Sequence, residues 1–126
     1  MYVYSPAMIV CEKLRAICQQ MDPYRVKVQK HKAKRARDFL DIHLICEARN
    51  ILPSDLSFRS TLEKVFAVKQ VPLDLLADIE QERDYHESDF VAVRATVANS
   101  SNLREFEFYF QYVLDFVKQL EAFWDV

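Results

Sequence analysis

Two carboxylates, Asp38 and Asp41, stand three residues apart. On a helix that spacing sets them about 60° apart around the axis, on one face. Ile42 and Ile45 flank them, and a carboxylate among apolar neighbours is costly unless paired. Such a pair can hold a metal ion or serve as a general base. The same spacing also admits ordinary intrahelical ion pairs. Lys34 and Arg35 precede Asp38 by four and three residues, and Arg37 precedes Asp41 by four. Lys13 is the second candidate. It lies about 70° from the centre of an apolar stripe through Leu14 and Ile17. A lysine on such a flank either snorkels to water or offers its ammonium to a phosphate as a point charge. Arg15 lies further round and reads as surface.

Other reactive types offer less. His31, His43 and His86 are scattered, without the spacing of a metal-binding helix. His43 falls among the apolar positions of its segment and reads as a core histidine rather than a ligand. Cys11, Cys18 and Cys46 are an odd count with no CxxC pair, which argues against a disulfide framework and a zinc site. They read as small buried hydrophobes of a reducing cytosol. No metal ligand set is assigned.

Glycine is absent from all 126 residues. That excludes a Gly-rich phosphate loop, a dinucleotide fingerprint and a GxSxG nucleophile elbow. It also argues against tight β-hairpins, which need residues at positive φ. Charge is segregated. Residues 1–37 carry +7 and residues 38–126 carry −9, for a net −2. Arg25, Lys27, Lys30, Lys32, Lys34, Arg35 and Arg37 crowd one stretch, 25–37. A field of that density attracts phosphates, and it equally suits a solvated basic loop facing the acidic half of the molecule.

The elements that must position these groups read as helices. Segment one opens at Ser5-Pro6, an N-cap followed by proline at the first helical position. Val10, Leu14, Ile17 and Met21 then recur at helical spacing, and Asp22-Pro23 ends the run. Tyr2-Val3-Tyr4 before it reads as a short extended piece. Segment two, about 32–49, is apolar nearly all round and is expected to be the most buried helix. Segment three, about 55–69, carries Phe58, Leu62, Val65 and Phe66 on one side. Segment four starts at Pro72 with Leu73, Leu76 and Ile79, and runs on or breaks near Asp84 into a β-branched stretch, 90–97. Segment five carries Leu103, Phe106, Phe110, Val113, Val117, Leu120 and Trp124, with Tyr109, Phe116 and Phe123 as a second stripe. The expected fold is all-α: one helical domain over 1–126, a bundle of about five helices. The aromatic face of segment five either fills the core or docks on a partner, a second copy included.

The run Tyr4-Ser5-Pro6 through Glu12-Lys13-Leu14-Arg15-Ala16 resembles the "YSP…EKLRA" helix of AbiEii-type nucleotidyltransferase toxins, found in bacterial abortive-infection and toxin–antitoxin systems. Arg35-Ala36-Arg37-Asp38-Phe39-Leu40-Asp41-Ile42 resembles the helix that follows it in that family. The motif-bearing part spans 4–49, and 50–126 shares only helical character. The resemblance implies a nucleotidyltransferase of the superfamily in which a small sheet carries a Gly-Ser turn and an Asp-x-Asp metal pair. It implies transfer of a nucleotide from a nucleoside triphosphate, with Mg²⁺, to RNA or protein. It puts the family's motif lysine on Lys13 and its motif aspartate on Asp38, with Asp41 as a second. Lys13 would contact the triphosphate, and Asp38 would sit at the reacting centre as a charge partner or base. Lys34, Arg35 and Arg37 are the accompanying substrate-binding candidates.

The chain departs from the family pattern in having no glycine and no Asp-x-Asp tripeptide. It therefore reads as the C-terminal helical portion of such an enzyme, inactive alone and completed by a catalytic half elsewhere, with no cofactor of its own. The expected partners are a triphosphate or RNA, an antitoxin or the catalytic half, and no membrane; the expected location is cytoplasmic. The alternative is a stand-alone helical module that binds RNA or protein through 25–37 or through its aromatic C-terminal helix.

Overall fold

The computed structural model describes residues 5–21, 33–97 and 102–121, and every regular element among them is helical. Six α-helices occur in order: α1 Pro6–Cys18, α2 Ala36–Arg49, α3 Leu56–Val68, α4 Arg83–Glu87, α5 Phe90–Thr96 and α6 Phe106–Glu121. A 3-10 helix, Leu73–Glu82, lies between α3 and α4. The expected extended piece at 2–4, most of the basic stretch (25–32), and Phe123 and Trp124 lie outside the described residues.

Helix α1 starts as its sequence dictates. Ser5 is extended, and its hydroxyl accepts from the Met8 backbone N–H at 3.1 Å, with Pro6 inside the first turn. Its apolar stripe, Val10, Leu14, Ile17 and Cys18, is fully buried. It packs on α2 and α3 and also touches the 3-10 helix, so it lies at the centre of the bundle. On α3, Phe58, Leu62, Val65 and Phe66 are buried, the four residues that the spacing selects.

Without glycine, two helix ends use other residues in the left-handed region. Asn50 has φ 53° at the end of α2, and Gln70 has φ 56° beyond α3. In both places the following N–H closes back on the last turn: Ile51 to the Cys46 carbonyl and Val71 to the Phe66 carbonyl, each at 3.0 Å. These are Schellman-type closures, and each puts an apolar residue, Ile51 or Val71, onto the core.

Three expectations are corrected. Segment four breaks near Asp84, one of the two courses expected, but its first part is a 3-10 helix and not an α-helix. Its Leu73, Leu76 and Ile79 recur every third residue, which is the 3-10 repeat, and α4 and α5 then follow as two short pieces. Segment two is not apolar all round in its environment: Leu44 is 51% exposed and Ile45 only half-buried. The most heavily buried helix is α6, with eight of its sixteen residues inside against six of fourteen for α2. Phe106, Tyr109, Phe110 and Phe116 are among those eight, so these four aromatics pack inside this chain. Phe39, Ile42 and Cys46 of α2 are buried as expected. Among the described residues no helix is long and apolar enough to cross a membrane.

Burial separates two leucines that look alike in the sequence. Leu14→Ala should cost about 2–5 kcal/mol by cavity formation, and Leu44→Ala should stay within about 0.5 kcal/mol. Urea denaturation of the two variants beside the native chain measures both.

Candidate functional site: a lysine shared by two aspartates

Packing of α1 on α2 brings the first candidate residues together. The Lys13 ammonium, on the flank of α1, lies 3.3 Å from Asp38 Oδ1 and 3.1 Å from Asp41 Oδ2. The first contact joins residues 25 apart in the chain. Both carboxylates face α1 because their spacing of three keeps them on one side of α2. The lysine and the pair therefore meet at the rim of the core that Leu14, Ile17, Phe39 and Ile42 fill.

The intrahelical pairs form as well. Arg37 Nε donates to Asp41 Oδ1 at 3.0 Å, and the Arg35 guanidinium stands 3.7 Å from Asp38 Oδ2. Lys34 does not pair with Asp38 among the described residues; its ammonium lies 5.8 Å from the centre of the Tyr85 ring. Each aspartate thus has a share in Lys13 and an arginine of its own helix.

The two aspartates differ in burial. Asp38 is 7% exposed, and its Oδ2 is buried with no hydrogen-bond partner among the described residues. Burial pushes its carboxyl pKa upward, and this outweighs the opposing pull of Lys13 and Arg35. At Lys13 the balance is reversed. Burial disfavours the ammonium, but Asp38 and Asp41 together overcome it and hold the lysine pKa above its ordinary value. The group that results is a firmly charged lysine beside a carboxylate whose proton affinity is raised.

Two buried polar side chains that spacing does not single out hold the start of α2. Gln20, at the end of α1, donates through Nε2 to the Ala16 carbonyl at 2.9 Å and accepts the Ala33 backbone N–H at 2.7 Å. His86, on α4, is fully buried and accepts the Arg35 backbone N–H on Nδ1 at 2.9 Å. His86 comes from a helix 51 residues downstream of Arg35, a separation that no local pattern reveals.

The remaining candidates are structural. The His43 ring is half-buried and sits edge-on to Phe108, Tyr109 and Tyr112, and burial lowers its pKa. Burial pushes the Cys11 thiol up to about 12 and the Cys46 thiol up to about 11, which leaves both unreactive. Among the described residues, no three His, Cys, Asp or Glu side chains gather where a metal could be held.

The charge balance has a consequence for stability. The folded chain binds the Lys13 proton more tightly than the unfolded chain. The resulting stability is full below the ordinary lysine pKa and is lost as pH rises through the raised value. Denaturation midpoints should therefore fall more steeply above pH ~10.5 in the native chain than in Lys13→Met. In the same variant, ¹³C NMR should find the Asp38 carboxyl titrating at higher pH, because its strongest opposing charge is gone.

No curated protein and no solved structure matches the chain. A family model does: that of the Nucleotidyl transferase AbiEii toxin, Type IV TA system, over residues 1–112. The match runs well beyond the motif-bearing helices α1 and α2, through α3 to α5 and into α6. The helical remainder is therefore part of the family pattern and not an unrelated addition, and the chain belongs to the AbiEii nucleotidyl transferase toxin family.

Proposed function

We propose that this chain supplies the helical side of a nucleotidyltransferase active site, and that the catalytic metal pair and phosphate-cradling turn lie outside its 126 residues. The meeting of Lys13 with Asp38 and Asp41 across two helices carries this reading. In nucleotidyl transfer an acceptor oxygen attacks the α-phosphorus of a nucleoside triphosphate, its proton passes to a base, and pyrophosphate leaves. Lys13 is suited to hold the triphosphate as a point charge. Asp38 is suited to take the acceptor's proton, because its proton affinity is raised. Asp41 keeps Lys13 aimed, and Arg35 and Arg37 keep the two aspartates in place.

Mg²⁺, which the family implies, does not fit between Asp38 and Asp41. The Lys13 ammonium occupies the position a shared cation would take. Mg²⁺ also demands near-octahedral oxygen coordination at close range, which two aspartates sharing a lysine do not offer. Its ligands are assigned to the catalytic segment, together with the Gly-Ser turn. Without that segment the chain has charge to attract a triphosphate but lacks the groups that align it with an acceptor, so it is inactive alone. The Type IV toxin–antitoxin family adds an antitoxin as the partner, and the cytoplasm is the compartment where nucleotide, RNA and antitoxin meet.

Incubation of the purified chain with labelled nucleoside triphosphates, Mg²⁺ and bulk RNA should transfer no label. NMR titration with a nucleoside triphosphate should show weak binding that centres on Lys13, is lost in Lys13→Met, and fades at moderate salt. Label transfer that disappears in Asp38→Ala would show that these helices hold a complete site. Triphosphate binding indifferent to Lys13→Met would remove the assignment of that lysine.

A further inference from the structure

His86 is the most deeply buried polar residue of the described chain, at 0% exposure, and nothing about its sequence position announces a role. Its ring packs against Phe39 of α2, 5.4 Å between centroids, and against Tyr85 at 5.2 Å. Its Nδ1 accepts the backbone N–H of Arg35, the residue that caps α2. The carbonyl of that same residue accepts the Asp38 N–H at 2.9 Å. Arg35 is thus fixed from both sides, by α4 at its nitrogen and by the first turn of α2 at its carbonyl. Its guanidinium then stands 3.7 Å from Asp38 Oδ2.

The first N–H groups of a helix have no partner within it. Arg35 caps α2 without any side-chain hydrogen bond to the helix, so that start depends on other anchors. Gln20 holds Ala33 and His86 holds Arg35, from two different parts of the bundle. Gln20 fixes the chain two residues earlier. His86 fixes the residue whose side chain meets Asp38.

We infer that His86 is a positioning residue for the Lys13–Asp38 site: its Nδ1 holds the Arg35 backbone, and through it sets Arg35 against Asp38. The assignment rests on the reading of that site given above. An Nδ1 that accepts from a backbone N–H carries no proton, so the imidazole is the neutral Nε2–H tautomer. Replacing the ring by another aromatic ring without an acceptor strands a partly buried N–H, which the first turn of α2 relieves by opening. Asp38 then loses the nearby Arg35 charge and becomes harder to ionise.

Two variants separate this role from mere core packing. His86→Phe keeps an aromatic ring and loses the acceptor. His86→Asn loses volume and keeps an acceptor close to the Nδ1 position. In His86→Phe the Arg35 amide should exchange at least about tenfold faster, one hydrogen bond's worth of protection. The Asp38 carboxyl should titrate at higher pH in ¹³C NMR. Both changes should largely revert in His86→Asn, although that variant disturbs the packing more. If His86→Phe fails to fold, the ¹⁵N shifts of the native imidazole still decide: a protonated Nδ1 at neutral pH overturns the inference. So does a folded His86→Phe in which Arg35 exchange and Asp38 titration are unchanged. Triphosphate titration of the same variants tests the underlying site reading separately. Asp38 and Arg35 responding while Lys13→Met leaves triphosphate binding untouched would keep the positioning role and remove the nucleotide.

Discussion

Asp38 is a carboxylate that the packing of α1 on α2 takes out of water, and its surroundings answer that cost. A buried charge must be paired or it gives up its ionised form. Lys13 arrives from α1 to meet one oxygen, and Arg35 stands further off from the other. The compensation is incomplete. Among the described residues Oδ2 has no hydrogen bond, and burial still dominates the carboxyl's proton affinity. A pair retained only for stability would be replaced at little cost, and often at a gain, by apolar residues of similar volume. An imperfectly satisfied acid beside a firmly charged lysine supports the role proposed for this pair.

Placing that group demands much of the helix ends. α2 must begin at a fixed register for Asp38 and Asp41 to face α1, and its capping residue supplies no side-chain hydrogen bond of its own. The chain answers with tertiary hydrogen bonds from Gln20 and His86 at the start, and with Asn50 in the left-handed region at the finish. Asparagine tolerates that region better than most residues. Gln70 beyond α3 has no such advantage and takes up the same conformation. It is held there by the Val71 N–H closing on the Phe66 carbonyl and by the burial of Val71. A protein without glycine can still end helices sharply, provided the residue after the bend is apolar and has a core to enter.

Much of this was legible locally. Periodicity identified the buried faces of α1, α3 and α6 almost residue for residue, because each helix has one core to face. It failed where two periods compete. Leu73, Leu76 and Ile79 fit an α-helix loosely and a 3-10 helix well, and the pattern was read as the commoner type. It also failed where burial is decided by neighbours rather than by residue type, as at Leu44. For the site, spacing placed Asp38 and Asp41 on one face and found the intrahelical partners Arg35 and Arg37. The approach of Lys13 to them was implied by the family motifs and not by spacing. His86 and Gln20 were invisible, since a hydrogen bond to a backbone N–H leaves no mark on the sequence around that N–H.

The sharing of Lys13 has one more consequence. Asp38 has Arg35 nearby and Asp41 has Arg37, so neither aspartate is abandoned if the ammonium turns to a phosphate. A lysine bound to a single buried carboxylate would be trapped, because leaving would strand that charge. Here the arginines reduce the cost of departure. When Lys13 turns away, Asp38 loses the largest influence that lowers its proton affinity and keeps the burial that raises it. Under the proposed function, its carboxylate would become more basic at the moment a triphosphate engages the lysine. Binding of the anionic donor and readiness to accept a proton would then be coupled through one ammonium group. That coupling needs no moving loop. It needs Lys13 on the flank of α1, two aspartates on one face of α2, and an arginine beside each.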